Sequence, residues 1–154
     1  MNVKRLIHML VACVALLCCA ATPVSAAQVP CGEIIWLENM EYDLIDPLTI
    51  TQSVDEALPL ATGSTNTTVS PFSTKAIGQI SLQANDIITF NCSYSPLSAS
   101  MDFGVIASNG RFHYVNVKGG SINQAIGISQ SGSYTVAIRN NSSQTVRVVG
   151  FVNY

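Results

Sequence analysis

This chain is poor in the residues that do chemistry. Its 154 residues include two histidines, one tryptophan and seven lysines and arginines, and charged residues of both signs make up only 10%. No Gly-x-Ser-x-Gly elbow occurs, so the strained serine that such hydrolases expose for acyl transfer is missing. Phosphate-loop and dinucleotide glycine patterns are absent as well, which removes the common nucleotide-binding classes. No cluster of lysine and arginine exists that would follow a nucleic-acid backbone. Long apolar runs are missing too, except for one at the N-terminus.

That one run sets the address. Lys4 and Arg5 precede an almost unbroken apolar stretch from Leu6 to Ala21, then Pro23, then the small residues Val24-Ser25-Ala26. Charge, apolar run and small-residue site in this order make a secretory signal. Cleavage is expected after Ala26, with the bond after Ala27 as the near alternative. An uncleaved anchor is the competing reading, but the run is about 16 residues where roughly 20 are needed to cross a bilayer core. Leu10-Val11-Ala12-Cys13 also matches a lipobox. A cut there would anchor the protein by lipid at Cys13, yet would leave the apolar stretch Val14 to Ala21 at the new terminus. The reading is therefore a signal helix over 1–26 and an exported, extracellular domain over 27–154, with no stable membrane span after processing.

Removing residues 1–26 of 154 leaves 128, enough for one domain. Five bases and nine acids remain, a net charge of −4. Cys13, Cys18 and Cys19 depart with the signal, and Cys31 and Cys92 stay. An even pair bound for an oxidising space is expected to form a disulfide. It would close a loop of about 60 residues and add roughly 4 kcal/mol as an upper guide. The other reading is two free thiols, with Cys92 a small buried apolar residue.

The C-terminal half reads as strands separated by turns every eight to twelve residues. Ala76 to Leu82 is the first, followed by a turn at Gln83-Ala84-Asn85-Asp86. From Asp86 to Tyr94, Ile88, Phe90, Cys92 and Tyr94 share one face, and Thr89, Asn91 and Ser93 the other, the alternation of a half-buried strand. Met101, Phe103, Val105 and Ala107 alternate likewise in Met101 to Ser108. Asn109-Gly110 signals a hairpin with positive φ at both central residues, and Arg111 to Lys118 returns antiparallel. Gly119-Gly120, Ser131-Gly132 and the polar loop 140–144 separate Ser121 to Ser129, Ser133 to Asn140 and Thr145 to Tyr154. Seven strands thus lie between residues 76 and 154. Earlier, Glu33 to Leu37 and Leu48 to Val54 are candidate strands that complete the second sheet. Residues 62–74, with eight Ser/Thr in 13, read as a flexible loop. The expected architecture is all-β: one antiparallel sandwich domain, jelly-roll-like.

The run Leu82-Gln-Ala-Asn-Asp86-Ile-Ile-Thr-Phe-Asn91, followed by Gly132-Ser-Tyr134-Thr-Val136-Ala-Ile138-Arg-Asn140, resembles uncharacterised small secreted bacterial β-sandwich proteins. It is more distantly similar to the bacterial pre-peptidase C-terminal domain. The likeness covers residues 76–154 and rests on strand and turn motifs. It implies a jelly-roll-like sandwich with a non-catalytic accessory role, and it brings no site residues.

Candidate sites are few. His113, the one histidine left after processing, lies mid-strand and reads as an ordinary strand residue, since neither catalysis nor zinc binding has enough partners here. Glu33, Glu38, Glu41, Asp43 and Asp46 put five acids into 14 residues. Glu38, Glu41, Asp43 and Asp46 are the set a structural calcium would take, although a solvated acidic face is the commoner outcome. Trp36 and Tyr42 are the aromatics available for stacking on a ligand, whereas Tyr94 and Tyr134 belong to apolar faces. The sequons at Asn66, Asn91, Asn140 and Asn141 are expected to stay unmodified in a bacterium, with Asn91 the least accessible beside Cys92. The chain reads as a secreted, non-enzymatic module without a cofactor, its partner a cell-surface glycan or protein. The alternative is a pilin-like structural subunit that assembles by strand addition through Thr145 to Tyr154.

Overall fold

The computed structural model describes residues 32–52 and 62–154. The expected signal, its expected cleavage bonds at Ala26 and Ala27, the lipobox-like Cys13 and the disulfide candidate Cys31 all lie outside the described residues.

Eleven strands are present among the described residues. They are β1 (Ile35–Trp36), β2 (Glu41–Leu44), β3 (Ile50–Gln52), β4 (Thr62–Val69), β5 (Thr74–Leu82), β6 (Ile87–Ser95), β7 (Met101–Ala107), β8 (Arg111–Val117), β9 (Ser121–Gly127), β10 (Gly132–Asn140) and β11 (Val146–Asn153). Sheet A has the order β1-β9-β6-β11-β4, and sheet B the order β2-β8-β7-β10-β5-β3. From β4 to β11 the chain passes from one sheet to the other at nearly every connection. The exception is the hairpin β7–β8, which stays in sheet B. Eight antiparallel strands wound in this way form a jelly roll.

The N-terminal segment completes both layers. β1 extends sheet A by pairing parallel to β9, and β2 extends sheet B antiparallel to β8. The chain then crosses the outer face of sheet B, and β3 pairs parallel to β5 at the far edge. Leu37 and Met40, buried between β1 and β2, close the gap between the sheets on that side.

Period-two alternation accounts for the core. Ile88, Phe90, Cys92 and Tyr94 of β6, Met101, Phe103 and Val105 of β7, Tyr134, Val136 and Ile138 of β10, and Val146, Val148 and Val152 of β11 meet between the sheets. Phe103 lies between Phe90 and Tyr94, with ring centroids 6.0 and 6.1 Å away, distances at which aromatic rings attract. Sheet B departs from simple alternation because its outer face is also covered. Ile106, Phe112 and Ala137 are buried there beneath Ile45 and Ile50 of the crossing segment. A strand covered on both faces needs apolar or satisfied side chains at every position. In β7 only Ala107 escapes full burial.

Two sequence expectations are corrected. Residues 62–69 are not a loop but the edge strand β4, paired along its whole length with β11. Its threonines suit a half-buried pleat, and Gly63, Thr65 and Val69 face inward. Second, Asn109-Gly110 is not a two-residue turn with both residues at positive φ. Gly110 alone is at φ +79°, and its N–H donates to the Ala107 carbonyl at 2.9 Å. The Asn109 side chain takes the Arg111 N–H at 3.0 Å. This is the three-residue hairpin, a turn followed by a left-handed glycine.

Candidate binding surface

The residues expected to form sites are dispersed by the fold. Trp36 of β1 lies across Gly127 at the edge of sheet A; a methyl at Gly127 would come within 2.6 Å of its ring. Tyr42 of β2 belongs to sheet B, where its ring packs on His113 at 5.4 Å and under Arg111 at 4.5 Å. The two aromatics sit on different sheets and form no shared platform. The calcium quartet does not assemble either, and no group of three metal-binding side chains converges among the described residues. Asp43 pairs with Arg139 at 2.7 Å, and Asp46 accepts the Leu48 N–H at 2.9 Å. Asn91 is solvent-facing, contrary to expectation, because alternation turns it away from Cys92. Asn140 is the sequon residue that is fully buried.

Cys92 points into the core, and its thiol faces the Phe151 carbonyl at 3.7 Å. Burial pushes the thiol pKa up to about 11, so it is protonated and a poor nucleophile. The strand proposed for addition, β11, is hydrogen-bonded on both sides, to β4 and to β6. It is a central strand of its own sheet.

His113 is buried, and its Nδ1 has no hydrogen-bond partner among the described residues. It lines a recess of about 190 Å³ with Leu37, Glu38, Arg111 and Tyr134. Burial lowers its pKa from 6.5, a Leu37 backbone hydrogen bond opposes this, and the Arg111 charge adds to the lowering. The folded chain therefore takes up this proton less readily than the unfolded chain. The resulting stability is complete above the unfolded value and is lost as pH falls below it. Melting temperatures are expected to drop as pH falls through about 6.5, and His113→Phe should flatten that part of the profile. Equal pH slopes for the two proteins would contradict this.

The outer face of sheet A presents a different arrangement. Cross-strand register lines up Ser64, Phe151, Asn91 and Asn123 in one row, and Asn66, Val149, Ser93 and Ser121 in the next. Strand spacing puts the Phe151 and Asn123 backbones about 10 Å apart, and the rows lie about 7 Å apart along the strands. Between Val149 and Phe151 on one side and Ser121 and Asn123 on the other, the face dips into an open groove of about 340 Å³, floored by Asn91 and Ser93. Gly150, at φ +154°, allows β11 to come close to β6, since a Cβ there would meet the Asn91 carbonyl at 2.3 Å. Phe151 is 53% exposed. Neither row carries a charged side chain. Arg147 stands at the border, its Nε 3.2 Å from Asn66 Oδ1. The outward asparagine and serine of β6 were legible from alternation, whereas their union with Phe151 across strands was not.

No family model matches the chain, so the resemblance to the pre-peptidase C-terminal domain finds no support there. No curated protein matches it either. Among solved structures, the chain is similar to the crystal structure of Aeromonas hydrophila PliG, a periplasmic lysozyme inhibitor of g-type lysozyme. That match covers 68% of this chain and 96% of that chain, at 16% sequence identity and a TM-score of 0.48. A likeness this distant brings neither the family nor the role of PliG to this chain.

Proposed function

We propose that the protein is an exported, non-enzymatic binding module that holds a neutral glycan on the outer face of sheet A. The observation that carries this is the charge-free double row across β4, β11, β6 and β9, with one exposed aromatic ring beside paired amide and hydroxyl side chains. A sugar ring offers apolar C–H faces, which stack on an aromatic surface such as Phe151. Its neighbouring hydroxyls are donors and acceptors at once, and an asparagine amide matches both. A cationic ligand would lose hydration here without meeting a counter-charge, and an anionic one would find only Arg147, at the border and already engaged with Asn66. The groove volume is at the small end of ligand sites, enough for a short stretch of glycan.

Affinity electrophoresis through gels containing neutral polysaccharides, such as mannan, xylan or starch, tests this reading. The native protein should be retarded by at least one, and Phe151→Ala should weaken binding about tenfold or more, a loss of about 1.4 kcal/mol. Its melting temperature should fall by only a few degrees, because about half of the side chain is already in solvent. Free migration of the native protein in every gel, or equal retardation of the variant, refutes the proposal.

A further inference from the structure

Four turns meet at one pole of the sandwich: 70–73 between β4 and β5, 96–100 between β6 and β7, 118–120 between β8 and β9, and 141–145 between β10 and β11. Main-chain hydrogen bonds knit them together. The Phe72 N–H donates to Ser142 at 3.2 Å, Asn141 to Ser100 at 2.9 Å, and Gly119 to Leu97 at 3.2 Å. From this braced end two large apolar side chains project, Phe72 at 73% exposure and Leu97 at 67%. Phe72 also has φ +51°, a left-handed conformation that a bulky side chain adopts only at a free-energy cost. Burial of its ring does not offset that cost, because the ring is in solvent. Strained backbone positions of this kind cluster at functional sites.

The charges at this pole point to the purpose. None of the four turns contains an acidic residue, and Lys118 lies in one of them, exposed. Lys75 is the second residue of β5, which starts here; Arg147 opens β11 in the same way, but its side chain turns back to Asn66. The acids nearest this end, Asp102 and Asp43, are both paired with Arg139, and Asp102 is 1% exposed. The opposite pole carries Asp86 in the turn between β5 and β6, and Arg111 opens β8 at that end.

We propose that this pole docks on an anionic lipid surface, Phe72 and Leu97 entering the interface while Lys118 and Lys75 face the headgroups. Apolar insertion and basic attraction are each weak alone, and together they hold a peripheral protein reversibly. The surface is separate from the glycan face and stands or falls independently of it.

The test is sedimentation with vesicles, using the exported protein with its N-terminus verified by mass spectrometry. One set of vesicles is phosphatidylcholine alone, and the other contains about one third phosphatidylglycerol. The native protein should pellet with the anionic vesicles, should pellet far less with the neutral ones, and should be released by high salt. Phe72→Gly suits the left-handed turn, so it should raise the melting temperature while lowering vesicle partitioning about tenfold, and Leu97→Ser should lower it comparably. The proposal is overturned if the native protein stays in the supernatant with anionic vesicles. It is equally overturned if the two folded variants pellet as the native protein does, which would leave Phe72 as an anchor for some other partner.

Discussion

Replacing Arg139 by methionine is expected to destabilise the protein by about 3–5 kcal/mol, the cost typical of leaving one half of a buried ion pair behind. The guanidinium lies on the outer face of sheet B with Nε 2.7 Å from Asp102 and Nη1 2.7 Å from Asp43. Its plane lies over the rings of Tyr114 and Phe112, at 4.6 and 5.3 Å from their centroids. Burial opposes the charge, but hydrogen bonds and attraction from Asp102 and Asp43 outweigh it and raise the arginine pKa. Asp102 also takes the Nδ2–H of Asn116 and, at 2.7 Å, that of Asn141. Methionine keeps most of the apolar stem and its contact with the rings, so the loss isolates the charge. Urea unfolding followed by circular dichroism measures it. In an Asp102→Asn background the same replacement should cost much less, because no carboxylate is then stranded. Asp43→Asn alone should cost under about 1 kcal/mol, since its side chain is 48% exposed. A small effect of Arg139→Met in the native background would mean that the two amides satisfy Asp102 unaided.

Asn140→Leu is expected to cost about 3 kcal/mol and to lower the melting temperature by roughly 10 °C. The Asn140 side chain is fully buried at the pole where β4, β5, β10 and β11 meet. Its amide faces the carbonyls of Gln144 at 2.7 Å, Ser70 at 3.1 Å and Val69 at 3.2 Å. Its carbonyl accepts from the Ser142 N–H at 2.9 Å and the Ser142 hydroxyl at 2.7 Å. Leucine fills a similar volume but meets none of these groups, and buried carbonyls without donors carry their full desolvation penalty. Asn140→Asp should recover only the contacts made to Oδ1. A melting curve unchanged by leucine would show that water replaces the amide.

Much of the fold follows from local pattern. Alternation in Ile88 to Tyr94 and in Met101 to Ala107 identified inward faces that the sheets do bury. That works because successive side chains of a strand point to opposite sides, whatever the strand pairs with. Residues 62–69 misled for the opposite reason: threonine and serine look like loop composition until a neighbour, here β11, supplies the ladder. The hairpin at Asn109-Gly110 was correctly placed but its turn was not, because one glycine supports more than one turn geometry.

The candidate surfaces were less legible. Trp36 and Tyr42 are close in sequence, yet the short turn 37–39 sends one to each sheet. The double row over sheet A draws on strands from Ser64 to Phe151, and the polar network of sheet B joins Asp43, Asp102 and Arg139. By itself, the sequence determined the seven strands from residue 76 onward and most of their inward faces, which depend on near neighbours along the chain. Only the tertiary structure decided which strands lie side by side, that the outer face of β7 is buried, and that Phe72 and Leu97 share one pole. Those outcomes rest on pairings between residues far apart in the chain, and a periodicity of two carries no information about which partner a strand will choose.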